Sequence, residues 1–271
     1  MTALRVATYN LLHGLDLRTG RIDLDAAAVA IDALDVDVVG VQEVDRDLAR
    51  SGAVNQVEEL ATLLGRTGIF APALLGDPEL RWARGPGADP DPGGPAYGIG
   101  LLSRLPLTAV AIAALPGGGP GTARPRRPDS RRPPIRDGEP RAALRVTVDG
   151  PSGPVAVTTA HLSFVPWRGR RQLATLARFA VADADVPAAV LLGDLNLPPQ
   201  VVEPALRRRG WRTAPAGPTF PTWKPITQLD HLFVRGTAEL ADLRVGAPGP
   251  SDHLPLCATV HARVATNGHA S

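Results

Sequence analysis

The 271-residue sequence holds a single cysteine, Cys257, and a single lysine, Lys224. One cysteine excludes an intrachain disulfide and any zinc site built from thiolates. No apolar run reaches the roughly 20 residues a membrane-spanning helix needs. The first ten residues, MTALRVATYN, pass directly into a strand-like pattern, without a basic stretch, an apolar stretch or a small-residue cleavage site. These absences together lead to the expectation of a cytoplasmic protein. The nucleotide-binding glycine loops are missing too: there is no G-x-x-x-x-G-K-[ST], and Tyr97-Gly98-Ile99-Gly100 reads as a strand. There is no G-x-S-x-G elbow, and Cys257 sits in an apolar run with no base beside it, so serine and thiol nucleophiles drop out.

The net charge is +2, too little to argue for a nucleic-acid partner by itself. With one lysine, nearly all the positive charge is guanidinium, which suits bidentate contacts to phosphate. A background bias in residue usage explains the same excess. At 44% hydrophobic residues the chain can build a sizeable core.

The stretch that organises the rest is Val190–Pro198, VLLGDLNLP. Three apolar residues end at Gly193, as a buried strand breaking into a loop does. Asp194 and Asn196 follow, spaced so that in extended geometry both side chains leave the same side of the backbone. Pro198 and Pro199 stop the strand.

Along the chain, strands are expected at Leu4–Tyr9, Val36–Val41, Ile69–Leu75, Tyr97–Ser103 and Leu107–Leu115, the last two as adjacent strands separated by Arg104-Leu105-Pro106. Helical spacing joins Leu24, Ala27, Ala28, Ile31 and Leu34 behind a cap at Asp23 or Asp25, and then Val57, Leu60, Ala61 and Leu64. Gly76–Pro95 reads as a long surface loop. Gly117–Pro140 is dense in Gly, Pro and Arg, with Arg124, Arg126, Arg127, Arg131, Arg132 and Arg136 against Asp129, and reads as a mobile insertion. Further strands are expected at Ala142–Val148, Val155–Thr159, Leu229–Val234, Leu240–Val245 and Leu256–Val260. Between them lie a helix through Leu173, Leu176, Ala177, Ala180 and Val181 and a short one after Pro199. The alternation falls into two comparable halves joined across the Gly/Pro/Arg segment. Both two packed sheets and one doubly wound sheet fit it.

The polar residues carry the functional signal. Asn10, Glu43, His161, Asp194, Asn196, Asp230 and the Asp252-His253 pair each stand at or beside the end of an apolar strand. Each alone is an ordinary turn residue; together they can meet at one sheet edge. Asp230, inside the apolar LDHLF, needs a partner for its charge. Carboxylates and amides without thiolates favour a hard ion such as Mg²⁺ or Mn²⁺, commonly used to neutralise phosphate and position water.

The ordered set YN (9–10), QE (42–43), Thr159-Ala160-His161-Leu162, GDLN (193–196), LDH (229–231) and SDH (251–253) resembles the endonuclease/exonuclease/phosphatase superfamily over nearly the whole chain. The resemblance implies a four-layer α/β sandwich of two packed mixed sheets, DNase I-like, as a single domain over 1–263 with the insertion near 117–140 and a flexible tail at 264–271. It implies Glu43 as main metal ligand with Asn10 and Asp252 in support. It also implies Asp194 activating water, Asn196 holding water or phosphate, His253 fixed by Asp230, and His161 as a second phosphate contact. A metal-dependent phosphodiesterase using Mg²⁺ or Mn²⁺ follows, acting as a monomer on nucleic acid. Alternatives are a phospholipid or sphingomyelin phosphodiesterase, a small-molecule phosphatase, and a non-catalytic binder of phosphorylated ligands. Arg81, Arg84, Trp167 and Arg171 are the expected substrate contacts; Trp82 and Trp167 could stack on bases.

Overall fold

The computed structural model describes residues 3–119, 121–122, 138–181 and 186–262. The six arginines of the expected basic insertion and the expected tail lie outside these residues. The strands are β1 (Leu4–Asn10), β2 (Leu15–Asp16), β3 (Arg21–Ile22), β4 (Val38–Arg46), β5 (Thr67–Asp77), β6 (Arg81–Arg84), β7 (Ala96–Ser103), β8 (Leu107–Ala114), β9 (Gly121–Thr122), β10 (Ala142–Gly150), β11 (Gly153–His161), β12 (Ala188–Asp194), β13 (Asp230–Gly236), β14 (Ala238–Val245) and β15 (Leu256–Ala262). The helices are α1 (Leu24–Asp32), α2 (Gln56–Leu64), α3 (Pro166–Phe179) and α4 (Pro199–Arg207).

Among the described residues the strands form an eight-stranded sheet, ordered β14-β15-β1-β4-β7-β5-β6-β9, a five-stranded sheet, ordered β13-β12-β11-β10-β8, and the small β2-β3 pair. Alternation along each central strand makes the layers. In β12, Val190 and Leu192 face the other sheet, packing with Val6, Val38, Leu101, Val157 and Leu232. Ala189 and Leu191 face outward onto Leu173, Leu176 and Ala177 of α3 and Val202 and Leu206 of α4. Ala27 and Ile31 of α1 and Val57 and Leu60 of α2 cover Val39 and Val41 on the outer face of the first sheet. Helices, sheet, sheet, helices: this is the four-layer α/β sandwich. The VLL run is apolar throughout because both faces of its strand are buried.

Helix starts follow their local chemistry. The Asp23 carboxylate accepts the Ala26 N–H and Asn55 caps α2 by accepting the Val57 N–H, while α3 and α4 each begin on proline, whose missing N–H costs nothing in a first turn.

Three expectations need correction. Tyr97–Ser103 and Leu107–Leu115 are not neighbours: β7 lies in the first sheet and β8 in the second, so the chain changes sheets across Arg104–Pro106. The expected loop Gly76–Pro95 contains β6, which pairs with β5 from Leu74↔Arg84 to Asp77↔Arg81. Strand β4 does not end before Gln42 and Glu43 but continues to Arg46 through a bulge between Gln42 and Val44. No helix among the described residues is long and apolar enough to cross a membrane.

Candidate active site

Strand register assembles the site. The parallel pair β11-β12 sets His161 beside Asp194, and the antiparallel pair β12-β13 sets Asp194 beside Asp230, so three adjacent strands place three ionisable groups in one row. Gly193 makes the row possible. It has φ +145°, and a Cβ there would lie 2.1 Å from the Ala160 carbonyl oxygen.

The first sheet supplies the facing wall. Asn10 ends β1, buried, and its Nδ2 donates to Glu43 Oε1 and to Asp194 Oδ2, each at 3.0 Å. Its Oδ1 accepts the Leu12 N–H, which sets the amide's orientation. Glu43 occupies the β4 bulge with φ 55°, an uncommon value for a residue other than glycine, and the extra residue re-aims its carboxylate toward Asn10. Below them Gln42 ties the sheets together, accepting from Thr8 Oγ1 and donating to Thr159 Oγ1.

Asn196 is not extended, as the sequence spacing suggested. It has φ 49°, and its N–H donates to Asp194 Oδ1 at 3.0 Å. In this turn its Nδ2 donates to the Leu162 carbonyl and to His161 Nε2, both at 3.0 Å, so Nε2 accepts. The Arg141 guanidinium lies against the same ring, 2.9 Å from Nδ1 and 3.3 Å from Nε2. Burial first, then Arg141 and His253, hold the His161 imidazole well below its ordinary pKa, so it is neutral.

On the other side, His253 Nδ1 stands 2.8 Å from Asp230 Oδ2, and its Nε2 stands 3.7 Å from Asp194 Oδ2. Burial opposes the His253 charge, but Asp230, Asp194 and the hydrogen bond to Asp230 carry its pKa up to about 10. Asp194 moves up to about 7, chiefly through burial, with Asp230 and Glu43 adding to the rise. Glu43 is raised as well, mainly by burial. The partner demanded by Asp230 is therefore present. Its second oxygen, Oδ1, is buried with no hydrogen-bond partner among the described residues.

This donor set fits a divalent cation. Asp194, Asp230 and His253 offer ligand atoms all within 4.8 Å of one another and could hold a metal ion. Several carboxylates crowd together, two of them raised in pKa, and an unpaired buried oxygen points to a missing positive charge. Of the expected metal set, Asn10 and Glu43 are in contact. Asp252 adjoins His253, accepts from Ser251 Oγ at 3.3 Å, and lies near enough to raise the Glu43 pKa.

The expected substrate residues lie on two elements, β6 and α3. Arg81 and Arg84 lie on β6, and Arg84 donates to the carbonyls of Leu115 and Gly117, bracing the segment after β8. Trp167 and Arg171 are exposed on α3, with the Arg168 guanidinium 5.3 Å from the Trp167 ring centroid. Trp82 is half-buried and donates its indole N–H to the Gly119 carbonyl. Sequence reasoning missed Arg141. Its only signal was adjacency to the strand that begins at Ala142.

The sequence matches the model of the Endonuclease/Exonuclease/phosphatase family over residues 7–253, from β1 to His253. The chain belongs to this family. Members of the endonuclease/exonuclease/phosphatase family are hydrolases of phosphoesters. No curated protein matches the sequence. Among solved structures, the family protein from Beutenbergia cavernae superposes with a TM-score of 0.74 at 22% identity, over 97% of this chain and 72% of that one. A mannosyl-6-phosphatase from Bacteroides thetaiotaomicron gives 0.62 at 17% identity, over 95% and 99%. TDP2 from D. rerio, complexed with a single-strand DNA product, gives 0.62 at 16% identity, over 97% and 100%. At such identities these likenesses show the fold.

Proposed function

We propose that the protein is a metal-dependent phosphodiesterase that hydrolyses nucleic acid by in-line attack of water on phosphorus. The observation that carries the reaction class is the Asp194–His253–Asp230 row. Asp194 has a pKa near neutrality and can take a proton from water, and beside it stands an imidazolium held in place by a buried carboxylate. His253 would donate from Nε2 to a non-bridging oxygen or to the leaving group, while Asp230 keeps the proton on Nδ1. His161 and Asn196 would hold the phosphate or the water from the other flank.

Glu43, oriented by the Asn10 amide N–H and with Asp252 in support, would hold Mg²⁺ or Mn²⁺. Asp194, Asp230 and His253 form a second candidate set, but an ion bound to all three would compete with the 2.8 Å contact between His253 and Asp230. Such an ion, when bound, neutralises phosphate charge and lowers the cost of bringing an anion among carboxylates. The nucleic-acid reading is supported by the guanidinium-rich composition and by the fold shared with a protein that binds a single-strand DNA product.

The test is hydrolysis of single-stranded and duplex DNA, RNA, sphingomyelin and a sugar phosphate, each with Mg²⁺ or Mn²⁺ and with Asp194→Asn as control. DNA or RNA as the fastest substrate supports the proposal. Turnover confined to the lipid or the sugar phosphate refutes the substrate, and full activity in Asp194→Asn refutes the mechanism.

A further inference from the structure

The segment Thr219–Gln228 joins the two halves of the His253–Asp230 pair. At one end Thr219 Oγ1 accepts the N–H groups of Leu229 and Asp230. At the other, Thr222 N–H donates to the Asp252 carbonyl at 2.7 Å, and Leu254 N–H donates to the Thr219 carbonyl at 2.7 Å. The segment doubles back on itself, with Phe220 and Thr227 exchanging backbone hydrogen bonds and Ile226 N–H also donating to Phe220. Phe220 packs on the catalytic imidazole, ring centroids 4.9 Å apart, and Trp223 meets Phe220 edge-on at 6.4 Å.

What this clamped base presents is a tip, Trp223–Ile226, exposed along its whole length. Trp223 is 70% exposed, an unusual position for the largest apolar side chain. Beside it stands Lys224, the one lysine of the sequence, with no ion-pair partner among the described residues. Trp167, the other well-exposed indole, already carries a guanidinium over its ring, and Trp223 carries none from the described residues.

We propose that this tip is a base-binding platform, on which the Trp223 indole stacks against a nucleobase of a single-stranded substrate while Lys224 pairs with a neighbouring phosphate. The inference rests on the nucleic-acid reading above and adds the strandedness of the substrate and the residues that select it. Asp194, Asp230 and His253 are buried at the site floor, so a phosphate must descend to them. Phe220 lies between the imidazole and the indole in this series of ring contacts, which puts the platform beside the site. A duplex keeps its base faces stacked on one another, whereas a single strand can lay one on an aromatic plane. Stacking of this kind tolerates any base, so the platform provides affinity without sequence preference.

The test compares wild type, Trp223→Ala, Trp223→Phe and Lys224→Ala on a single-stranded oligonucleotide. Each is then assayed on oligonucleotides carrying an abasic analogue at each position flanking the cleaved bond. Trp223→Ala should raise KM roughly tenfold with kcat within about twofold, and Trp223→Phe should recover most of the loss, as removal of one stacked base predicts. At one position the abasic analogue should make wild type and Trp223→Ala converge. Thermal unfolding checks that the exposed substitution leaves the fold intact. Unchanged KM in Trp223→Ala, or a penalty that persists with every abasic analogue, overturns the proposal. So does loss of binding to phosphatidylserine vesicles with unchanged oligonucleotide kinetics, which would make the tip a membrane contact. A wild type that hydrolyses the sugar phosphate or sphingomyelin but no nucleic acid refutes the underlying substrate reading instead.

Discussion

In the proposed mechanism Asp230 and His253 act as one unit, because the carboxylate stands against the ring and sustains its charge and both are buried. Asp230→Asn and His253→Ala should each lower kcat by about two to four orders of magnitude, the range for loss of an orienting carboxylate or an acid–base group. The double variant should fall little further, since residues acting as a unit are not additive. Single-turnover assays on folded variants decide this, and losses that multiply would separate the pair. The neighbouring His231 has a different task. It sits on the other side of β13, with its Nε2 2.8 Å from the Leu197 carbonyl, and braces the loop that carries Asp194 and Asn196. Burial pushes its pKa down to about 4. Because the folded protein keeps it neutral while the unfolded chain protonates near 6.5, its contribution to stability is complete above that value. It is lost as pH falls from there through about 4, by about 3 kcal/mol in all. Denaturation from pH 7 to 4 should therefore show a steeper loss in wild type than in His231→Gln; parallel curves would contradict this assignment.

At the scale of elements, the strand ends do the positioning and a few backbone departures aim the side chains. The bulge at Glu43 and the left-handed turn at Asn196 both break regular β geometry, and both lie in the site. Gly193 allows β11 and β12 to approach where His161 and Asp194 must meet. Gly193→Ala should cost on the order of 3 kcal/mol in urea denaturation, as strain and a clash with backbone combine. It should also reduce activity by displacing Asp194. A variant as stable and active as wild type would show that the close approach is dispensable.

At the scale of the molecule, a cation bound among the carboxylates at the sheet edge would relieve repulsion that His253 offsets only in part, and would so link metal binding to stability. Mg²⁺ or Mn²⁺ at a hundredfold excess over Kd should stabilise the fold by about 2.7 kcal/mol, seen as a rise in Tm that a chelator reverses. Glu43→Gln should weaken affinity severely in calorimetry and reduce that rise. Undiminished affinity would remove Glu43 as the main ligand and leave Asp194, Asp230 and His253 as the better set.

Much of this was legible along the chain. The VLL run before Gly193, the apolar spacing of three of the four helices and the placing of acids, amides and histidines at strand ends are local patterns. Each records how a segment of ten residues or so will be buried, and burial periodicity is a property of the segment itself. Side-chain types alone favoured a hard cation, and the ordered motifs pointed to a family of phosphoester hydrolases. What only the tertiary structure decided involves contacts between distant parts of the chain. Asn10 meets Asp194 across 184 residues of sequence, β14 and β15 return to the first sheet, and Arg141 settles on His161. The bulge at Glu43 depends on how β4 pairs with β7, and the prominence of Trp223 depends on a segment clamped between Asp230 and Asp252. No local window contains these pairings. They form because burying both faces of two sheets at once leaves the chain one register in which the polar groups satisfy one another.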